Sequence, residues 1–93
     1  MKQFVVISYD ISDDKRRLKA MKALQDYGTR VQYSVFECRL QANQLAKLKQ
    51  RLKPCVREAQ DSIRFYAISA DDLSRIEVIG NGSVTADQAF YYQ

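Results

Sequence analysis

Short apolar, β-branched segments alternate with two runs of helical spacing, and this alternation narrows the fold more than any other feature of the chain. Phe4-Val5-Val6-Ile7 is apolar at four consecutive positions and ends at Ser8-Tyr9-Asp10, which reads as a strand buried on both faces and therefore central in its sheet. Ser12 is placed to N-cap the helix that follows, with Asp13 and Asp14 in the first turn where the helix dipole favours them. Leu18, Met21, Leu24 and Tyr27 make its apolar stripe, and Gly28 is the expected stop. From Thr29 to Leu40 the period is two, with Val31, Tyr33 and Val35 on one face, until the parity flips to Phe36, Cys38 and Leu40. A flip of parity inside one extended stretch predicts a bulge or break near Ser34. Ala42 to Leu52 is helical again, with Leu45, Leu48 and Leu52 on its inner face and Pro54 at its end. Ser62 to Ile68 reads as a fourth strand, and Arg75 to Ile79 as a short fifth, stopped by Gly80-Asn81-Gly82.

The order is βαββαβ with one added strand, which fits an α+β, ferredoxin-like sandwich with two helices on one face of an antiparallel sheet. Residues 1–80 make the domain. Residues 81–93, closing on Phe90-Tyr91-Tyr92-Gln93, have no assignable period and are expected to contact a second subunit or another partner. The strands carry apolar residues of both parities (Val5 and Val6, Phe65 and Tyr66, Ala67 and Ile68), so the sheet face without helices also needs cover. A two-fold homodimer stacked sheet to sheet supplies it, with the fifth strand crossing to the partner's sheet. The chain has 93 residues, too few for a deep two-lobed cleft unless a second subunit provides the other wall.

The chain contains no histidine, which removes the commonest general base and every zinc site that needs imidazole. Chemistry here must run on carboxylates, hydroxyls, Lys, Arg or a bound metal. The net charge is +4, but it is unevenly laid out. Residues 1–57 hold thirteen Lys and Arg against five Asp and Glu, and residues 58–93 hold two against six. That block pattern fits a basic surface aimed at phosphate, or equally two solvated helices. Cys38 and Cys55 form no CxxC, so reduced thiols and a cytoplasmic setting are expected. The apolar run before Ser8 is too short for a signal peptide or a membrane span.

Asp10 is the leading candidate for chemistry. It ends the apolar strand two residues before the helix cap, where its carboxylate either makes an Asx-turn into the helix or serves as a hard oxygen ligand for Mg2+ or Mn2+. One carboxylate per chain is a poor metal site, and a two-fold axis near the strand ends would double it. Tyr9 is either core or a hydroxyl donor to phosphate. Arg16, Arg17 and Arg30 can clamp phosphates, although Arg16 and Arg17 are also spaced to pair with Asp13 and Asp14. Ser34 and Phe36 lie at the parity flip, where they contact a substrate or simply pack. No glycine-rich phosphate loop and no RNP-type aromatic signature is present.

Taken together, Ile7-Ser8-Tyr9-Asp10-Ile11, Asp13-Asp14-Lys15-Arg16-Arg17, the stretch from Tyr27-Gly28-Thr29-Arg30 through Ser34-Val35-Phe36-Glu37, and Asp61-Ser62-Ile63-Arg64-Phe65-Tyr66 resemble the CRISPR-associated Cas2 family. The likeness spans roughly residues 4–68. It implies a homodimeric protein of spacer acquisition in antiviral defence, described in the family as a metal-dependent endonuclease on single-stranded RNA or duplex DNA. The family's metal-ligand aspartate falls on Asp10, and its nucleic-acid-binding positions fall on Tyr9, on Arg16 or Arg17 of the first helix, and on Arg30, Ser34 and Phe36. The resemblance equally implies a non-cutting scaffold that binds duplex DNA between dimers of the Cas1 integrase.

Overall fold

A computed structural model of the chain describes residues 1–85. β1 (Gln3–Asp10) is followed by α1 (Asp14–Gln25), β2 (Thr29–Gln32), β3 (Val35–Leu40), α2 (Ala42–Leu52) with a 3-10 turn at Lys53–Cys55, β4 (Ser62–Ile68) and a short α3 (Ala70–Leu73). The strands form one antiparallel sheet in the order β2-β3-β1-β4. The apolar N-terminal run is therefore central, as its composition predicts.

Parity divides the sheet into two faces. Val5, Ile7 and Tyr9 of β1 share one face with Phe36, Cys38 and Leu40 of β3, and all six are buried with Ala20, Ala23, Leu24, Leu48 and Leu52 of the helices. Ile63 and Phe65 of β4 pack against the edge of this core. Residues of the other parity, among them Val6, Ser8 and Asp10 of β1, Val35, Glu37 and Arg39 of β3, and Arg64, Tyr66 and Ile68 of β4, line the face that carries no helix. Tyr66 there is 48% exposed. Apolar and charged side chains are interspersed on this face, and Phe4 is buried beneath the Arg39 guanidinium, 5.4 Å from its ring.

The parity flip resolves into a hairpin. Tyr33-Ser34 is the turn, and the register shifts between Arg30 and Gln32 where Val31 is the extra residue. Of the two alternatives predicted near Ser34, the break is the one found there, at the Tyr33-Ser34 turn, and the irregularity at Val31 lies three residues earlier.

Four local expectations are corrected. The α1 cap is Asp13, whose Oδ2 accepts the Arg16 N–H at 2.9 Å, because Ser12 is committed to Asp61 instead. The buried side of α1 is Ala20, Ala23 and Leu24. Two alanines let the helix approach the sheet, and the stripe is thereby turned so that Leu18 is left 49% exposed. Gly28 does not end α1 through a left-handed conformation; the cap is Asp26 in right-handed geometry. Gly28 is required for space, since a Cβ there would lie 2.6 Å from the Glu37 carbonyl oxygen and closer still to Cys38 Sγ. Finally, Arg75–Ile79 forms no ladder: among the described residues the sheet has four strands. Val78 and Ile79 are exposed, and the chain from Ile76 to Thr85 runs along the β2–β3 side of the open face. There Glu37 Oε1 accepts the Thr85 N–H and Arg39 Nε donates to the Thr85 carbonyl, each at 3.0 Å. Residues 86–93 of the expected tail lie outside the described residues.

Candidate nucleic-acid interface

Asp10 is the last residue of β1, opposite Ser62 in the β1–β4 ladder, and it is exposed on the helix-free face beside Ser8 and Val6 in parity. The backbone just beyond it is held by a carboxylate that no sequence period marks. Asp61, immediately before β4, accepts the Ser12 N–H at 3.0 Å, the Ser12 hydroxyl at 3.1 Å, the Arg57 N–H at 2.9 Å, and a charge-assisted bond from Arg16 Nη1. Its side chain is completely buried. The two backbone donors, then Arg16, hold its carboxyl well below the usual carboxylate range.

Arg16 is thereby placed inside the fold. Its Nη1 also donates to the Cys55 carbonyl at 3.0 Å, and it ties α1 to the α2–β4 connection. Of the two α1 arginines expected to contact phosphate, this one is satisfied by protein. Arg17 is intermediate: Nη1 donates to the Ile11 carbonyl at 2.9 Å and Nη2 pairs with Asp14, yet the side chain keeps some exposure. The hydrogen bond with Asp14 raises its already high pKa.

Tyr9 is buried, its ring 6.4 Å from that of Phe36, and its hydroxyl donates to the Tyr33 carbonyl at 3.3 Å. Burial pushes its phenol pKa up, against the opposing charge of Arg30. Phe36 has no exposed surface. Both aromatics are core residues that shape the site from beneath. Ser34 contributes its carbonyl, which accepts the Tyr9 N–H at 3.0 Å and so fixes the hairpin turn to the end of β1. Arg30 is exposed; its Nε donates to the Tyr33 carbonyl at 3.0 Å and its guanidinium lies 5.1 Å from the centre of the Tyr33 ring. Tyr9, Arg17, Arg30 and the Tyr33-Ser34 turn therefore converge at the same end of the sheet as Asp10. Tyr33 itself was legible only as one alternating residue; its exposure follows from the turn, a detail that period two does not carry.

Exposed lysines extend the positive surface over the helix layer: Lys15, Lys19 and Lys22 on α1, Lys47 and Lys49 on α2, and Lys53 after it. Among the described residues, no three of Cys, Asp and Glu gather where they could hold a metal ion. Asp10 has the hard, exposed oxygen that Mg2+ prefers, so the donor fits the ion, but only a second copy of Asp10 would make more than a single protein ligand. No helix among the described residues is long and apolar enough to cross a membrane.

Comparison with known proteins identifies the family. A protein of Chloroflexus aurantiacus described as CRISPR-associated endoribonuclease Cas2 3 is 46% identical over 91 residues, spanning 98% of each chain. The crystal structure of Streptococcus pyogenes Cas2 superimposes with a TM-score of 0.72 at 36% identity, covering 83% of this chain and 99% of that one. A chain of a solved partial Cas6-RT-Cas1–Cas2 complex does so with a TM-score of 0.74 at 28% identity, covering 94% and 98%. The family described as CRISPR associated protein Cas2 matches residues 1–76, and with the sheet order and strand-end aspartate already in place, this chain belongs to that family.

Proposed function

We propose that this chain is a metal-dependent endonuclease of CRISPR spacer acquisition, acting on RNA or DNA phosphodiesters as a two-fold homodimer. The observation that carries the reading is the position of Asp10: an exposed carboxylate at the end of the central strand, on the sheet face that has no helices. Stacking two such faces would bring two Asp10 residues toward one axis and cover Val6 and Tyr66. The pair would hold Mg2+ or Mn2+, which when bound supplies a water of lowered pKa and charge neutralisation on the phosphate. Arg30 and Arg17 position the strand by pairing with phosphate oxygens. Asp61 and Ser12 keep the backbone after Asp10 from moving as substrate binds. The relatives named as endoribonucleases support this reading.

A second reading is favoured by the exposed lysines of the helix layer: a scaffold that binds duplex DNA through its backbone and joins a Cas1 integrase. The solved complex containing Cas1 and Cas2 supports it. Asp10→Asn separates the two. With Mg2+ present, cleavage of single-stranded RNA and duplex DNA should fall at least about 100-fold while binding is kept. Cleavage at the wild-type rate would overturn the nuclease reading and leave the scaffold.

A further inference from the structure

The hairpin turn carries a feature that backbone binding does not need. The Tyr33 side chain is 69% exposed, and beside it Leu18 is 49% exposed on α1. They border a groove of about 370 Å3 that is also lined by Tyr9, Met21, Arg17 and Arg30. That size is within the range of small-ligand sites, about 300–1,000 Å3. The Arg30 guanidinium is anchored by the Tyr33 carbonyl and lies over the Tyr33 ring, 5.1 Å from its centre. Asp14 also borders the groove, but its charge is paired with Arg17, which leaves Arg30 as the net positive charge.

An exposed aromatic ring, apolar lining from Leu18 and Met21 and a net cation suit one chemical class: a flat ring that carries an anion. We infer that Tyr33 is a stacking platform for an unpaired nucleobase, whose phosphate is received by Arg30. Bases inside a duplex are already stacked on both faces and cannot reach it, so the platform selects single-stranded nucleic acid. This inference rests on the nucleic-acid reading above and names the substrate form that the same end of the molecule prefers. The turn is held by the Tyr33 carbonyl, which accepts from Tyr9 and Arg30, so the ring is not needed to hold it.

The absence of tryptophan from the chain makes the test direct. A Tyr33→Trp variant provides a single emitter, to be titrated with a single-stranded oligonucleotide and with a blunt duplex of the same length, alongside binding of Tyr33→Ala and Tyr33→Phe. Stacking predicts that the single strand quenches the emission and the duplex does not. It also predicts that Tyr33→Ala weakens single-strand binding roughly 5- to 100-fold, that duplex binding changes less than about twofold, and that Tyr33→Phe retains affinity. Equal losses for both substrates, no loss for either, or emission that responds to protein concentration instead of oligonucleotide would overturn the platform and leave the nuclease and scaffold readings standing. Failure of the wild type to bind any nucleic acid would overturn those readings and the platform with them.

Discussion

The Asp61 carboxylate accepts the Ser12 backbone N–H at 3.0 Å, so the residue two places beyond Asp10 is tied to the residue immediately before β4. Asp10 and Ser62 are themselves opposite one another in the ladder. The candidate catalytic carboxylate is therefore framed on both sides: by strand pairing at its own position and by a buried side chain just past it. With its two backbone donors, one hydroxyl and one guanidinium, Asp61 leaves none of the groups around it without a partner.

Asp61→Asn should consequently cost more than an ordinary surface change, because Arg16 loses its buried counter-charge and the amide nitrogen cannot accept what the carboxylate oxygen accepted. A fall in Tm of roughly 10 °C or more is expected, read by circular dichroism. The pH dependence has a definite sign. Because the folded carboxyl is held below the usual carboxylate range, its contribution is fully present above the unfolded value of about 4 and is lost as pH falls below it. Wild type should thus lose stability progressively in that acid window, and Asp61→Asn should show a flatter profile there. Identical slopes in the two proteins would contradict the assignment.

Gly28→Ala tests a close approach between the end of α1 and β3. The added methyl would stand 2.6 Å from the Glu37 carbonyl oxygen and against Cys38 Sγ, and both belong to β3, which lies between β1 and β2 and has little room to move. Overpacking of this kind typically costs about 1–3 kcal/mol. The urea midpoint should fall accordingly with an unchanged m-value. A midpoint equal to wild type would mean that the hairpin yields freely.

The two thiols should be silent in the native protein. Cys38 and Cys55 are free and buried, and burial pushes the Cys38 thiol up to about 12, with the neighbouring Glu37 adding to it; Cys55 is raised for the same first reason. At pH 8 almost no thiolate is available to react. A thiol reagent such as 5,5′-dithiobis(2-nitrobenzoate) should label neither cysteine until denaturant is added, and then both. Fast labelling of the native chain would show that the core opens.

The arrangement of strands was legible because burial leaves a period in the chain: Phe4 to Ile7, the flip at Ser34 and the β4 run each announce themselves through apolar spacing. Polar contacts leave no such trace. Ser12 has the chemistry of a helix cap, but whether it caps α1 or serves Asp61, forty-nine residues away, depends on a tertiary contact. The same competition moved Arg16 from a phosphate clamp to an internal tie, although its spacing from Asp13 was read correctly and the two lie 3.8 Å apart. Tyr9 and Phe36, carried over as binding positions, are packed in the core, where side-chain parity alone would put them. Asp10 and Arg30 are the members of the expected set that the fold leaves exposed.

The helix-free face offers the last test, because the proposed homodimer and the proposed Asp10 metal site depend on it together. Tyr66 is half exposed there, opposite Val6 in the β1–β4 ladder, with Asp10 farther along the same parity of β1. Tyr66→Asp would place a charge where the dimer needs an apolar contact, and burying it unpaired is costly enough to displace the equilibrium toward monomer. The core is untouched, so the monomer should remain folded by circular dichroism. Sedimentation at micromolar concentration should then show wild type as a dimer and Tyr66→Asp as a monomer, and Mg2+-dependent cleavage should fall along with the dimer. The reason is geometric: oxygen ligands of Mg2+ lie roughly 2.1 Å from the ion, so a shared ion requires the two Asp10 carboxylates to approach within about 5 Å. A monomeric Tyr66→Asp that cleaves as wild type does would separate catalysis from the two-fold axis, and a wild-type chain that sediments as a monomer would remove the axis altogether.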